Sequence, residues 1–363
     1  MSSKIRPIAF YLPQFYPTPE NDEWWEPGFT EWTNVARAKP LFKGHYQPRI
    51  PRDLGFYDLR VHETREKQVQ LAREAGIEGF CYWHYWFGNG RRLLADVFRE
   101  VVESGKPDFP FCLCWANHSW YQKTWDPTKP DKLLMEQTYP GVDDYKAHFM
   151  EMLPAFKDKR YIKVNNKLLF GIFSASDIPN QQEFFDTWNQ LAKENGLNGF
   201  CFFALVQGQS QYNKLDSSGF DLVVYDYYGD MTKEYLNEPF IVRKFKQIKR
   251  SLFNLPNIIS YTNYTDKAIS FYKKNSHLVP CIDPDFDHTP RSGTKTSTLH
   301  GSTPQKWGEL CNKVKEIVLE QGANNLLFIK AWNEWGEGNY LEPDRRYGKS
   351  YIEETAKAFT EIE

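Results

Sequence analysis

At 363 residues the chain suits one α/β barrel or two ordinary domains, and its formal net charge of -2 argues against nucleic acid or another polyanion as a partner. Aromatic residues make up 17% of it, with Trp 12, Tyr 21 and Phe 27, and many stand beside Gly, Pro, Asn or Asp rather than inside periodic apolar segments. Such rings suit a cleft that meets the apolar faces of sugars. No apolar stretch is long enough to span a bilayer and the first residues hold no apolar signal core, so a cytoplasmic location is expected, or a secreted or periplasmic one if a signal peptide has been removed.

Short apolar runs rich in aromatic and β-branched residues recur along the chain, separated by amphipathic segments. The first run is 8–12, followed by a Pro- and Trp-rich connection over 15–61, far longer than an ordinary loop and so expected to be functional. The periodicity predicts a helix over 63–75, with Val69, Leu71, Ala72 and Ala75 near one face, then a strand at 79–83. Next come a helix over 93–103, a strand at 109–115, a helix over 145–156 and a strand at 168–173. A helix over Gln181–Glu194 leads to a strand at 199–204, and the segment 207–218 after it is short and polar for a helix. The strand at 222–225 opens a second long insertion, 229–276, which carries the basic run Arg243-Lys244-Phe245-Lys246-Gln247-Ile248-Lys249-Arg250. That run reads first as a solvated helix face and otherwise as a patch for peripheral contact with an anionic membrane or a charged glycan. A strand at 278–282, a helix over Pro304–Gln321, a strand at Leu326–Ile329 and a helix over 349–359 complete the series.

Near-continuous apolar strands alternating with helices describe a parallel sheet covered by helices. Eight such units predict one domain over 1–363, a (β/α)8 TIM barrel with long insertions after strands one and six. The competing open sheet would carry a Gly-rich phosphate turn, but Leu12-Pro13-Gln14-Phe15 follows the first strand. The six cysteines, 81, 112, 114, 201, 281 and 311, lie in apolar runs without metal-like spacing and read as reduced core residues.

In such a barrel the chemistry sits at the C-terminal ends of the strands. After the last strand stands Ala331-Trp332-Asn333-Glu334-Trp335-Gly336-Glu337-Gly338. A strand would send Glu334 and Glu337 to opposite faces; the two glycines are expected to let the chain leave the strand so that both carboxylates turn into one mouth. Cleaving a glycosidic bond needs one carboxyl held protonated and one ionised, and neighbouring carboxylates with apolar walls push their pKa values apart. The plainer alternatives are that one glutamate caps the last helix or pairs with Arg345 or Arg346. Asp283, Asp285, Asp287 and His288 resemble a calcium loop only superficially, since the glycine and distal glutamate of such a loop are missing; no metal is expected.

These residues resemble glycoside hydrolase family 99, the endo-α-mannosidases and endo-α-mannanases, and more closely the WbsX-type, family-99-like proteins encoded in bacterial polysaccharide gene clusters. The resemblance is carried by Asn333-Glu334-Trp335-Gly336-Glu337-Gly338, by residues 9–15 with Glu23-Trp24-Trp25 and 28–33, by 82–87 and by 112–117. It implies a barrel with metal-independent, retaining chemistry and no cofactor. Glu334 would act as base on the sugar's own 2-hydroxyl, which attacks the anomeric carbon, and Glu337 as general acid. Gly336 stands where the family-99 enzymes have histidine.

The leading expectation is a retaining glycoside hydrolase acting on a bacterial oligosaccharide or polysaccharide. Trp32, Trp83, Trp115 and Trp332 are expected to stack on sugar rings, with Asn117, Asp226 and Asn333 holding hydroxyls and Tyr11, Tyr225 and Asp285 also in the substrate site. Two alternatives stay open: a glycosyltransferase or transglycosylase in lipopolysaccharide O-antigen or capsule assembly, and a non-catalytic glycan-binding protein.

Overall fold

The computed structural model describes residues 4–123, 130–234, 239–322 and 324–360, and in it the eight apolar runs are eight strands. They are β1 (Arg6–Tyr11), β2 (Gly79–His84), β3 (Phe111–Trp115), β4 (Lys167–Ile172), β5 (Phe200–Gln207), β6 (Leu222–Asp226), β7 (Val279–Ile282) and β8 (Leu326–Ile329). Each pairs in parallel with the next, and Pro7↔Leu327 and Ala9↔Ile329 join β1 to β8, so the sheet closes. This is the (β/α)8 barrel read from the sequence.

Strands of such a barrel are covered by helices outside and by one another inside, so both faces are apolar. Hence β2 and β3 read as unbroken runs rather than alternating ones, and every residue of both is buried. Phe328 of β8 meets Phe10 of β1 at 5.5 Å and, across the barrel, Phe203 of β5 at 4.9 Å. Gly171 makes room for this filling: a Cβ there would run into the Phe203 ring and lie 2.8 Å from Cys114 Sγ. All six cysteines are buried and unpaired.

The outer helices follow their sequence signals. Gln181–Glu194 buries Phe184, Phe185, Trp188 and Ala192 on one face. Pro304–Gln321 starts with proline behind Thr303, whose side chain caps Lys306 N, and ends at Gly322 in the left-handed region. The helix expected from residue 93 begins instead at Asp96, because Leu94 has φ 53°, which no helix interior accepts. After β5 there is a single turn, Gln209–Tyr212.

The two insertions differ. After β1, Thr30 caps the helix Glu31–Arg37 by accepting from Trp32 N at 3.2 Å, which sets Glu31 in the first turn. After β6 come the helices Tyr228–Lys233 and Phe240–Leu252 and a strand, Asn257–Ser260, that pairs in parallel with Ser297–His300 from beyond β7. Among the described residues no helix is long and apolar enough to cross a membrane.

Candidate active site

The two glutamates lie beyond β8, in a small hairpin outside the barrel sheet. Asn333 and Glu334 pair antiparallel with Tyr340 and Asn339, and Trp335–Glu337 forms a 3-10 turn between the arms. Trp335 stacks on Tyr340 across this small hairpin, with centroids 3.8 Å apart and planes 14° apart. Gly338 turns the chain at φ 58°, as expected of it. Gly336 has a different role. A Cβ at Gly336 would collide with Glu31 Oε2 and sit 3.1 Å from Arg291 Nε, so the space a histidine would need is taken by an ion pair.

Glu334 is buried, and Trp83 at the end of β2 donates its indole N–H to Oε1 at 2.7 Å. Glu337 is the more open of the two. Arg291, in the turn of helix Thr289–Ser292 beyond β7, reaches Glu337 Oε1 with Nη1 at 2.5 Å and Glu31 Oε2 with Nε at 3.0 Å. Gln14 donates to the other oxygen of Glu31 at 3.0 Å. Arg291 thus fills the role considered for Arg345 or Arg346. The backbone of the loop is held as well, since Asp287 N–H donates to Glu337 O at 2.5 Å.

The two carboxyls titrate apart. Burial, and next the charge of Glu337, push Glu334 well above the usual carboxylate range, against Lys330, Arg291 and the Trp83 hydrogen bond. Burial also works against ionised Glu337, but Arg291, His288 and Lys330 outweigh it, helped by a hydrogen bond from Glu334, and hold Glu337 well below that range. Burial thus favours the proton on Glu334, and Arg291 favours the charge on Glu337. This is the reverse of the distribution the sequence resemblance implies for a base at Glu334 and an acid at Glu337.

Below the pair, Lys330 Nζ lies 3.2 Å from Asp226 Oδ2. Burial disfavours its charge, but Asp226 and Asp283 outweigh burial and keep Lys330 protonated. Asp283 accepts from Tyr264 OH at 2.9 Å and Asn339 Nδ2 at 3.0 Å, which ties the Lys330 cluster to the hairpin.

Of the residues nominated from sequence, Glu334, Glu337, Trp83 and, through Lys330, Asp226 come together. The others hold the walls. Asn333 grips Leu12, accepting from its N–H at 2.7 Å and donating to its carbonyl at 3.1 Å. Asn117 does the same for Ser174 and also donates to Tyr139 OH. Tyr11 donates to Gln68, Tyr225 to Asp230, and Asp285 accepts from Arg49. Trp115 and Trp332 are fully buried, and Trp32 is enclosed by Phe15, Phe56, Tyr57 and Trp335, so none of the three presents an open face for a sugar. Half-buried rings are found instead at Trp24, Trp120 and Phe173: Trp120 packs edge-on to Tyr85 and Trp24, and Phe173 edge-on to Trp83. The sequence reading missed Arg291 and Lys330 altogether, and Glu31 except as a letter in its 28–33 stretch. Lys330 was signalled only by being a cation in an apolar strand end.

Comparison with known proteins agrees with this architecture. A solved structure described as a glycoside hydrolase-like protein superposes with a TM-score of 0.63 at 14% identity, covering 99% of this chain and 95% of that one. The GH99 endo-alpha-mannosidase of Bacteroides thetaiotaomicron superposes with a TM-score of 0.57 at 14% identity, covering 99% and 97%. The WxcX protein of Xanthomonas campestris pv. campestris is 34% identical over 355 residues, 97% of this chain and 49% of that protein, so the chain spans about half the length of the curated relatives it matches. Residues 7–355 match the family described as glycosyltransferase WbsX, and with that match over almost its whole length the chain belongs to the WbsX family, on a glycoside hydrolase-like barrel.

Proposed function

We propose that this chain is a retaining, metal-independent glycoside hydrolase of bacterial polysaccharide, with Glu334 and Glu337 as its proton-transfer pair. One observation carries the reading: two carboxyls stand three residues apart in the hairpin beyond β8, Glu334 buried against the Trp83 indole N–H and Glu337 held by Arg291, so that burial raises the first and the cation lowers the second. The bound sugar's 2-hydroxyl gives its proton to Glu334 while its oxygen attacks C1. The glycosidic C1–O bond breaks, and the departing oxygen takes a proton from Glu337. Water then attacks C1 and yields a proton to Glu337, while the C1–O2 bond breaks and O2 recovers its own proton from Glu334. Two inversions leave the anomeric configuration retained, and the 2-hydroxyl must lie trans to the leaving group, as in α-mannosides.

This route needs a proton on Glu337 when substrate is bound. The charge of each carboxyl acts on the other, and a 2-hydroxyl donating to Glu334 favours the ionised form of that residue and so the proton on Glu337. The test is proton NMR of the first product from an aryl α-mannoside and from its 2-deoxy analogue. Retention with an inert 2-deoxy analogue is expected; comparable turnover of the analogue rules out the 2-hydroxyl route. A second reading, glycosyl transfer, is supported by the family's description. A sugar hydroxyl would then replace water in the second step, and tight binding of a sugar nucleotide in calorimetry would favour it.

A further inference from the structure

The helix Phe240–Leu252 carries three lysines and two arginines and no acidic residue, a local charge of +5 on a chain whose formal net charge is -2. None of its residues is buried. Ile241, Phe245, Ile248 and Leu252 recur at helical spacing and form one stripe, with exposures of 79%, 68%, 63% and 74%. Phe253, directly after the helix, is exposed too. The least exposed members are Arg243 and Arg250, on the opposite side, where they line a cleft with Met231 and Ile259. An ordinary surface helix turns its apolar stripe inward; this one turns its arginines inward and its apolar stripe out. The plain reading of the basic run as a solvated face therefore does not describe the stripe.

We propose that this helix docks on an anionic lipid surface, lying flat with Ile241, Phe245, Ile248 and Leu252 in the acyl boundary. Lys244 and Lys249 border the stripe on either side, so their stems can lie along it while their ammonium groups meet lipid phosphates. A second copy of the chain is the poorer occupant. Isologous pairing of this face would set Lys244 and Lys249 of one copy against Lys244 and Lys249 of the other. The helix lies in the connection between β6 and β7.

The test is co-sedimentation of the 363-residue chain with vesicles of phosphatidylcholine alone and of phosphatidylcholine with about one-third phosphatidylglycerol. Binding is expected on the anionic vesicles only, falling roughly tenfold in about 0.5 M salt. Phe245→Ser with Ile248→Ser, and separately Lys244→Glu with Lys249→Glu, should each weaken it roughly tenfold or more while circular dichroism and melting stay unchanged. Absence of binding to anionic vesicles overturns the proposal, as does undiminished binding by both variants. A dimer in light scattering that the serine variant breaks, without vesicle binding, would assign the stripe to a second copy.

Discussion

The two long insertions of the barrel use their side chains in opposite ways. The first folds back over the mouth and spends its polar groups there: Glu31 on Arg291, His45 and Gln47 on Asp287, Arg49 on Asp285, Tyr57 on Glu342. Its rings do likewise, with Trp32 wedged between Phe15, Tyr57 and Trp335. The second keeps its Phe240–Leu252 helix outside the core, apolar stripe outward. An insertion whose groups are satisfied internally is part of the site, whereas one that leaves a hydrophobic stripe unsatisfied anticipates something outside the chain.

The mouth side of this contrast breaks most sharply at the glutamates. Glu334→Gln is expected to lower turnover by about a thousandfold with almost no change in melting temperature, because the protonated carboxyl it replaces has nearly the same shape. Glu337→Gln should lower turnover comparably and also cost some stability, since Arg291 loses one of its two carboxylates. Steady-state rates beside melting curves read both effects; full activity in either variant removes the pair from the chemistry.

Stability separates the insertions directly. Trp32→Ala should cost about 3–5 kcal/mol in urea unfolding, the usual range for an enclosed tryptophan. Phe245→Ser should stay within about 0.5 kcal/mol of the parent, because that ring has little to lose in water. Similar losses at the two positions would mean that the second helix is held by the barrel after all.

Much of this was legible in the sequence, and for a physical reason. A parallel barrel buries both strand faces, so its strands announce themselves as unbroken apolar runs, and all eight were readable. The glutamate motif was readable because two carboxylates among glycines and tryptophans are chemically conspicuous. Direction was not readable. Asn117 and Asn333 stand at the proper end of the barrel, yet each turns its amide onto a neighbouring backbone, and sequence cannot distinguish that from an amide held for a sugar hydroxyl. Arg291 lies 46 residues from Glu337 and reaches it only once the β7 loop has folded. The four-three-four spacing of Ile241, Phe245, Ile248 and Leu252 is plain in the sequence; that it faces outward is a tertiary fact.

Arg291, which joins Glu31 of the first insertion to Glu337, tests how strongly that link tunes the chemistry. Arg291→Met removes the foremost of the cations that lower Glu337, so that carboxyl should hold its proton to higher pH. The acid limb of the pH–rate profile then moves upward, and the alkaline limb moves the same way because Arg291 also lowers Glu334, with turnover at the optimum reduced roughly tenfold. An acid limb that stays in place would show that Glu337 is ionised for another reason.

The smallest effect concerns Glu342, where the first insertion meets the hairpin. Gln68, Tyr57 and Trp335 all donate to its carboxylate, at 2.6, 2.8 and 2.6 Å, yet burial outweighs them and raises the group from 4.5 to about 7. A carboxyl that binds its proton more tightly folded than unfolded contributes stability fully below the unfolded value of 4.5. That contribution is lost as pH rises through about 7, when the folded protein must ionise a buried group. Glu342→Gln keeps a neutral side chain at every pH, so the melting temperature of the variant should fall less between pH 4.5 and 7 than that of the parent. The difference should be on the order of 1 kcal/mol once relaxation around the buried charge is allowed for. Parallel melting curves for the two proteins across that range would mean that Glu342 is already ionised inside the fold, and that the hydrogen bonds from Gln68, Tyr57 and Trp335 outweigh its burial.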